Sequence, residues 1–420
     1  MGFASEWLRK GPVFPGLIKE APEKKTGIIV VVPSYNEPDV SNLLNSLKEC
    51  QRPACTVEVL LVVNSPHGAD DNILGKNLHT VSEAKTWLEN SRPFFRLYVL
   101  NIERPPIKGW GVGLARKTGM DEALRRFDFI DNTGGVIACL DADCTVGKNY
   151  LAELEKRLLE KKERKACSVY FEHPITGESV TPAIRHAIIS YELHLRYYLQ
   201  ALIFAGYPYA FHTVGSALAV KSSSYMKAGG MNRRQAGEDF YFVQKLVDGG
   251  GYFSLNSTIV YPSPRISGRV PFGTGAAIGK IVGGRETEYL TYDLKAFSDL
   301  RSFFRMSLLF NPENKRVTKE IYSGFPRSVS SFITCDEWLL KMEEIYYNTS
   351  GPEAFIKRFF SWFNMFRIVK FLNFTHKGIF SKVPVSSAAK ELVKECNLHF
   401  SGSDAEELLN FYRSVEKGKA

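Results

Sequence analysis

The chain has 420 residues, a formal net charge of +9, seven cysteines, 44% hydrophobic residues and 24% charged residues. This composition is ordinary for a folded protein with a large core and argues against a disordered chain. An odd cysteine count without a Cys-x-x-Cys pair argues against a disulfide framework or a zinc site. No apolar run of 18 residues predicts a membrane span, and no signal peptide is recognisable, so we expect a cytoplasmic protein.

The first part of the chain alternates between apolar runs and polar loops. Residues 1–25 contain three prolines and predict an arm. The β-branched run at 27–33 predicts a strand buried on both faces, and 39–50 has the spacing of a helix. A second strand is expected at 57–63, followed by a polar loop. This order is typical of strands joined by helices.

The pattern continues to about residue 285 and then changes. It predicts strands at 95–100, 136–140, 166–171 and 258–261, and helices at 113–127, 150–164, 184–204 and 237–248. We therefore expect an α/β fold, with a doubly wound, mostly parallel sheet flanked by helices and a mainly helical C-terminal region. The predicted units are residues 1–25, 26–285 and 286–420.

Two acids, Asp141 and Asp143, follow the strand expected at 136–140. On an extended chain, residues i and i+2 point to the same side, so both carboxylates could reach one ion. Carboxylate oxygens suit Mg²⁺ or Mn²⁺, which in turn can hold a diphosphate. Asp-x-Asp also marks turns, so the pair by itself leaves both interpretations open.

Polar clusters follow four of the expected strands, beginning at Ser34, Asn64, Asn101 and Asp141. In open α/β sheets, ligands bind outside the carboxyl ends of the strands. If these strands are parallel, the four clusters converge on one edge. The sequence thus predicts a nucleotide pocket with a metal at its floor.

Three motifs in this order resemble the family 2 inverting glycosyltransferases of the GT-A fold. They are Val-Pro-Ser-Tyr-Asn-Glu at 32–37, Asp-Ala-Asp at 141–143 and Gly-Glu-Asp at 237–239. A glycine pair at 229–230 and a glycine-rich run at 108–116 also fit, and the resemblance covers about residues 26–265. It implies a transferase that moves a sugar from a nucleotide diphosphate-sugar to an acceptor hydroxyl.

The resemblance also implies roles for individual residues. Asp141 and Asp143 would hold the cation of the DXD motif on the diphosphate, and Asp239 would be the general base, with Glu238 beside it positioning the acceptor. The donor-binding residues implied or inferred beside them are Pro33, Ser34, Tyr35, Glu37, Asn64, Lys108, Arg116, Asp141, Arg265 and Arg269. The last two lie in a loop after the final strand, which suits a phosphate clamp or an ordinary solvated basic loop.

Two positions depart from the family pattern. Many members carry an acid at the end of the second strand, where this chain has Asn64-Ser65, and Lys117 follows Arg116 where the family has Asn. The first departure leaves the nucleobase of the donor open. His212 fits a packed core residue better than a ligand, and His173 fits either a packed residue or a pocket residue.

Residues 355–374 combine many aromatic side chains with four basic ones and no acid. Such a segment can lie in a membrane interface, which would suit a lipid-linked acceptor, or pack as a core helix. We favour packing, and keep peripheral membrane contact as the alternative.

Three other functions remain open at this point. A retaining GT-A transferase would not use Asp239 as a base. A sugar-phosphate nucleotidylyltransferase would need a glycine-rich loop directly after the first strand, and residues 33–37 supply none. A basic, non-catalytic protein that binds nucleic acid or membrane surfaces would leave the acids unexplained. We therefore expect no nucleic-acid partner, and a carbohydrate or lipid-linked acceptor.

Overall fold

The structure, a computed structural model, describes residues 2–103, 111–233, 237–267, 273–284, 289–310 and 320–418. The chain divides into two compact units. The first comprises Met1–Val180 and Phe211–Ala276, and the second Thr181–Ala210 and Ala277–Ala420. The unit boundaries expected near residues 25 and 285 stay predictions.

The first unit is built around one eight-stranded sheet with the order β3-β2-β1-β4-β7-β6-β8-β5. Its strands are β1 Thr26–Ser34, β2 Thr56–Asn64, β3 Arg96–Ile102, β4 Val136–Cys139, β5 Thr145–Val146, β6 Ala166–Phe171, β7 Leu218–Lys221 and β8 Tyr252–Tyr261. Every residue of β1 is buried, as its continuous β-branched run predicts for a strand covered on both faces. A separate two-stranded ribbon pairs β9 Leu290–Thr291 with β10 Val383–Pro384.

The described helices begin and end as follows. They are α1 Ser5–Leu8, α2 Ser41–Lys48, α3 Asp71–Ser91, α4 Val112–Phe129, α5 Tyr150–Leu154, α6 Pro182–Phe204, α7 Ser222–Lys227, α8 Glu238–Asp248, α9 Thr274–Val282, α10 Leu294–Ser307, α11 Arg327–Phe332, α12 Cys335–Tyr347, α13 Pro352–Trp362, α14 Met365–Gly378, α15 Val385–Glu395 and α16 Ala405–Glu416. A π-helical turn, Glu155–Leu159, continues α5. The helix expected at 150–164 therefore ends earlier.

Strand directions place most strand ends of the first unit at one edge. Strands β1, β2, β3 and β4 are parallel where they pair, β7 is antiparallel to β4 and β6, and β8 is parallel to β6. Strands β1–β4, β6 and β8 therefore end, and β7 begins, at the same side, which we call the carboxyl edge. The expected mixed α/β fold with a mostly parallel sheet and a mainly helical C-terminal region is confirmed.

The N-terminal arm, described from Gly2, packs along α4 in the first unit. The carboxylate of Glu122 accepts the N–H groups of Leu17 and Ile18 at 3.0 and 3.1 Å, and Asp128 accepts the N–H of Ala4 at 2.5 Å. Arg126 donates to the carbonyl of Glu20 at 2.8 Å. Acceptors and donors on α4 thus satisfy backbone groups of an arm that has little regular structure of its own.

The second unit has a core of aromatic side chains. Residues 355–374 form two helices, α13 and α14, and bury Phe355, Phe359, Phe360 and Phe371. The ring of Phe303 lies 5.8 Å from that of Phe359. This segment therefore packs its aromatic face within the unit, as favoured, while membrane contact stays a prediction.

Two further expectations concern cysteines and membrane spans. All seven cysteines are free thiols. Among the residues that the structure describes, none of the helices combines the length and apolar character needed to cross a bilayer.

Candidate active site at the carboxyl edge

Polar residues from several connections meet at the carboxyl edge. They are Glu37 after β1, Asn64 at the end of β2, Asp141 and Asp143 after β4, His173 after β6 and Arg265 after β8. Asp239, the second residue of α8, joins them because it accepts the N–H of Gly215, three residues before β7. Acids and arginines that lie far apart in the sequence are thus brought together.

Arg116, in the second turn of α4, joins two of the predicted acids. Its Nη2 donates to Oδ1 of Asp141 at 2.6 Å, and its Nη1 donates to Oε1 of Glu238. The side chains of Arg116 and Glu238 are each only 3% exposed, whereas that of Asp141 is 40% exposed. Burial alone would lower the pKa of Arg116, but the surrounding acidic groups, Asp141 and Glu238 first, together raise it well above its usual value. Arg116 is therefore a permanent buried cation.

Asp239 is held by backbone donors at the start of α8. Its Oδ2 accepts the N–H of Gly215 at 3.0 Å, and its Oδ1 accepts the N–H of Phe240 at 2.7 Å. Burial first, and then the negative charge of Glu238, raise the pKa of Asp239 to about 6, against the opposing effect of Arg116. The carboxylate is fixed in place and can accept a proton near neutral pH.

Arg265, in the loop after β8, joins the other two predicted acids. Its Nη2 pairs with Oε2 of Glu37, and it lies 3.0 Å from Oδ2 of Asp143. Glu37 is buried, while Arg265 and Asp143 keep 27% and 23% of their side-chain surface exposed. The partly exposed guanidinium of Arg265 therefore lies between the loop after β1 and the turn after β4.

The extended geometry expected for Asp141 and Asp143 is wrong. Strand β4 ends at Cys139. The N–H of Cys144 donates to the carbonyl of Asp141 at 3.0 Å, so both acids lie within a turn at 141–144. One acid is bound by Arg116 and the other by Arg265. A turn, rather than a pleated strand, sets their positions because the ladder stops before the first acid.

The donor atoms of this turn fit a hard divalent cation. The described residues contain no group of three or more histidine, cysteine or acidic residues able to hold a metal. Asp141 and Asp143 supply two carboxylates that both reach the surface, and Mg²⁺ commonly takes one or two carboxylates and completes its shell with phosphates and water. The site suits a cation that arrives with a phosphate ligand better than one enclosed by protein.

The loop after β1 carries several predicted donor-binding residues. Pro33 and Ser34 are the last, buried residues of β1, and Tyr35 is half-buried. Asn36 has φ 50°, the left-handed region that few residues other than glycine adopt. The chain turns sharply here and carries Glu37 toward Arg265.

Sequence reasoning missed two residues that hold this loop, Asn77 and Thr80 of α3. Asn77 bonds to the backbone of Asn36 and Asn64, and Thr80 bonds to the carbonyl of Glu37. The helix itself was not predicted. Asn77 and Thr80 are spaced as residues on one helix face, which would be apolar in an ordinary buried helix. This spacing of polar residues is the signal that could have revealed them.

The remaining predicted residues lie at the edge or outside the described chain. His173 is buried, with Nε2 3.2 Å from Oγ1 of Thr274, and the ring of His212 packs against Phe171 at 5.0 Å. Lys108 and Arg269 lie outside the described residues, so their roles stay predictions.

Comparison with known proteins identifies similar solved structures only. No protein-family model matches the chain. No curated protein matches it either.

Three solved structures illustrate the likeness. TarS 1–349 of S. aureus in complex with UDP-GlcNAc is 12% identical, with 79% of this chain and 89% of that chain covered and a TM-score of 0.39. The mannosyltransferase PcManGT of Pyrobaculum calidifontis, in complex with GDP-Man and Mn²⁺, is 14% identical. The match covers 99% of this chain and 92% of that chain, with a TM-score of 0.36. Glucosyl-3-phosphoglycerate synthase of Mycobacterium tuberculosis, in complex with Mn²⁺, UDP and phosphoglyceric acid, is 14% identical. The match covers 64% of this chain and 83% of that chain, with a TM-score of 0.34. At such low identities and TM-scores, the function has to be inferred from the carboxyl edge itself.

Proposed function

We propose that this protein is a metal-dependent glycosyltransferase of the GT-A type, resembling family 2, that acts on a nucleotide diphosphate-sugar. It would transfer the sugar, with inversion, to a hydroxyl group of a carbohydrate or lipid-linked acceptor. The observation that carries the proposal is Asp239, a carboxylate with a pKa of about 6 that two backbone donors fix beside Glu238, the partner of Arg116. A poised base next to acids and cations suits transfer to an alcohol.

Asp239 would take the proton from the acceptor hydroxyl as that oxygen attacks the anomeric carbon. A base works best when its pKa lies near the operating pH, because it is then deprotonated yet still attracts a proton. The N–H groups of Gly215 and Phe240 orient the carboxylate, and Glu238 holds Arg116 instead of facing solvent. Glu238 would therefore act on the acceptor indirectly, through the charge and position of its neighbours.

Stabilising the leaving diphosphate would fall to cations at the same edge. Arg265 is partly exposed and lies beside Asp143, so its guanidinium could reach a phosphate bound at that turn. Asp141 and Asp143 would hold Mg²⁺ or Mn²⁺, which when bound supplies positive charge to the phosphate oxygens. Charge placed in advance where negative charge develops lowers the barrier without reorganisation.

Replacing Asp239 by Asn should separate turnover from binding. The variant should bind a nucleoside diphosphate as the wild type does but lose transfer by about 100-fold or more, since general-base catalysis typically contributes that much. Asp143→Ala should instead lose the extra thermal stabilisation that Mn²⁺ or Mg²⁺ adds to the nucleotide-bound protein. Thermal shift with nucleoside diphosphates and their sugars, with and without metal, measures the binding, and release of the nucleoside diphosphate during transfer measures the turnover.

Asp336→Asn is the matched control, because Asp336 also lies in the first turn of a helix, α12, but is exposed and in the second unit. It should change neither quantity. Normal transfer by Asp239→Asn would show that another group is the base, and a product that keeps the anomeric configuration of the donor would replace inversion by retention.

A further inference from the structure

Helix α3 carries a row of hydrogen-bonding side chains that face the segment 36–45. We call this row the α3 seam, and its members are Asn77, Thr80, Glu83 and Trp87. Their partners are the N–H of Asn36 at 2.9 Å, the carbonyl of Glu37 at 2.9 Å, the N–H of Ser41 at 3.1 Å and the side-chain oxygen of Asn45 at 2.7 Å. Spacings of three and four residues put all four on one helix face. About three turns of α3 therefore hold the chain that follows β1.

Asn77 differs from the other members because it joins two strand ends. Its Oδ1 accepts the N–H of Asn36 at 2.9 Å, while its Nδ2 donates to the carbonyl of Asn64 at 2.8 Å. The side chain is 2% exposed, so both bonds are shielded from water. Asn36 is the left-handed residue of the loop, a conformation that persists only when its surroundings fix it.

We propose that Asn77, supported by Thr80, is a positioning residue that fixes the nucleoside site by holding the ends of β1 and β2 in register. This inference rests on the proposed function and adds that the nucleoside of the donor lies against the loop at 34–37 and Asn64. The side chain of Asn77 bonds to backbone on both sides of that site, and among the described residues its bonds do not reach Arg116, Asp141 or Glu238. Its loss should therefore weaken donor binding and leave the chemical step intact.

Asn77→Ala should raise the Kd of the nucleoside diphosphate, and the KM of its sugar, about tenfold, because two buried backbone groups lose their partner. The turnover at saturating donor should stay within about twofold. Asn77→Asp keeps the acceptor for Asn36 but sets oxygen against the carbonyl of Asn64, so it should weaken binding at least as much. Thr80→Val keeps the shape of the side chain and loses the hydroxyl bonds to the carbonyls of Glu37 and Lys76. Because it leaves both bonds of Asn77 in place, it should give a smaller loss.

Asn132→Ala is the matched control. Asn132 lies at the opposite edge of the same sheet, where its Nδ2 donates to the carbonyl of Thr26 at 3.0 Å and its Oδ1 accepts the N–H of Gly134 at 3.2 Å. It thus makes the same two kinds of backbone bond, at the start of β1 instead of its end. This control should lower the melting temperature but leave nucleotide affinity and donor KM unchanged.

Calorimetric titration with uridine, guanosine, cytidine, adenosine and thymidine diphosphates, each with Mn²⁺, first identifies the nucleotide that the wild type binds. Weaker binding of that nucleotide by the Asn77 variants, with Asn132→Ala unchanged, supports the inference. Equal binding by wild type and Asn77→Ala overturns the inference about Asn77 and leaves the proposed function standing. A loss of nucleotide affinity in Asn132→Ala as large as that in Asn77→Ala has the same consequence. A wild type that binds none of the five overturns both.

Discussion

Asp239 is the residue whose surroundings change its chemistry most. An aspartate in water has lost its proton well below neutral pH, but burial and the charge of Glu238 raise the pKa of Asp239 to about 6. If Asp239 is the base, kcat/KM should rise with pH up to about 6 and level off near 7, because only the carboxylate form accepts a proton. Initial rates across pH 4.5–8 at fixed donor measure this limb.

Glu238→Gln tests the cause of that shift. Removing the charge of Glu238 removes the second contribution that raises the pKa of Asp239, and leaves Arg116 its salt bridge to Asp141. The acidic limb should therefore move to lower pH. A limb that stays in place would mean that Glu238 does not influence the titrating group.

The same pKa predicts how stability varies with pH. The folded-state pKa of Asp239 lies above its unfolded value, so the folded state favours the protonated form, and stability is lost as pH rises from about 4 through about 6. Asp239→Asn removes this loss. Its free energy of unfolding, relative to wild type, should therefore increase by about 1–3 kcal/mol between pH 4 and pH 7.5. Urea denaturation at both pH values measures it, and a pH-independent difference would contradict the assigned pKa.

At the scale of elements, helix α4 links the arm, the sheet and the site. Its first turns carry Arg116, and further along it Glu122 and Asp128 hold the arm. Arg126 pairs with Glu58, which lies on β2 and has no exposed surface. Arg116, Glu122 and Arg126 of α4 are thus buried beside partners from other elements, which offset the cost of burying charge.

Arg126→Met should destabilise the protein by about 3–5 kcal/mol, because it leaves the carboxylate of Glu58 buried without its cation. The double variant Glu58→Leu and Arg126→Met should recover much of this loss, since an apolar pair has no charge to desolvate. Urea denaturation of wild type, both single variants and the double variant gives the coupling. If the double variant is no more stable than Arg126→Met, the unpaired charge is not the cause.

At the scale of the whole molecule, aromatic residues make up 13% of the chain, and one cluster of them forms a packed core. In the second unit, Phe303, Phe304, Phe359, Phe360 and Phe363 contact one another through their rings. Three basic side chains of 355–374, Lys357, Arg358 and Lys370, are exposed, while Arg367 pairs with Glu337 and lies over the ring of Trp362. A segment whose composition also suits a membrane interface therefore contributes its aromatic side chains to the core of the second unit.

Phe359→Ala should lower the stability of the chain by about 3–5 kcal/mol, because it opens a cavity in this core. Phe374→Ala, in the same segment but 40% exposed, should cost less than about 1 kcal/mol. Denaturation followed by tryptophan fluorescence compares them. Similar small losses in both variants would mean that the aromatic face is not packed as described.

Some features followed from local sequence alone. The apolar runs at 27–33, 57–63 and 166–171 predicted strands within one or two residues of β1, β2 and β6, because a strand buried on both faces has an unmistakable composition. The expected parallel arrangement then predicted that the polar clusters beginning at Ser34, Asn64, Asn101 and Asp141 would converge on one edge. The α3 seam was not predicted, since its polar residues hide the helical pattern that apolar residues would give.

The sequence by itself determined the alternation of strands and helices, and hence the edge where the chemistry-bearing side chains gather, because burial patterns and parallel pairing are properties of short segments and their order. Only the tertiary structure decided which charges pair: Arg116 with Asp141 and Glu238, and Arg265 with Glu37 and Asp143. It also decided the raised pKa of Asp239. Pairing and desolvation depend on distances between residues up to 228 positions apart, which no local pattern encodes.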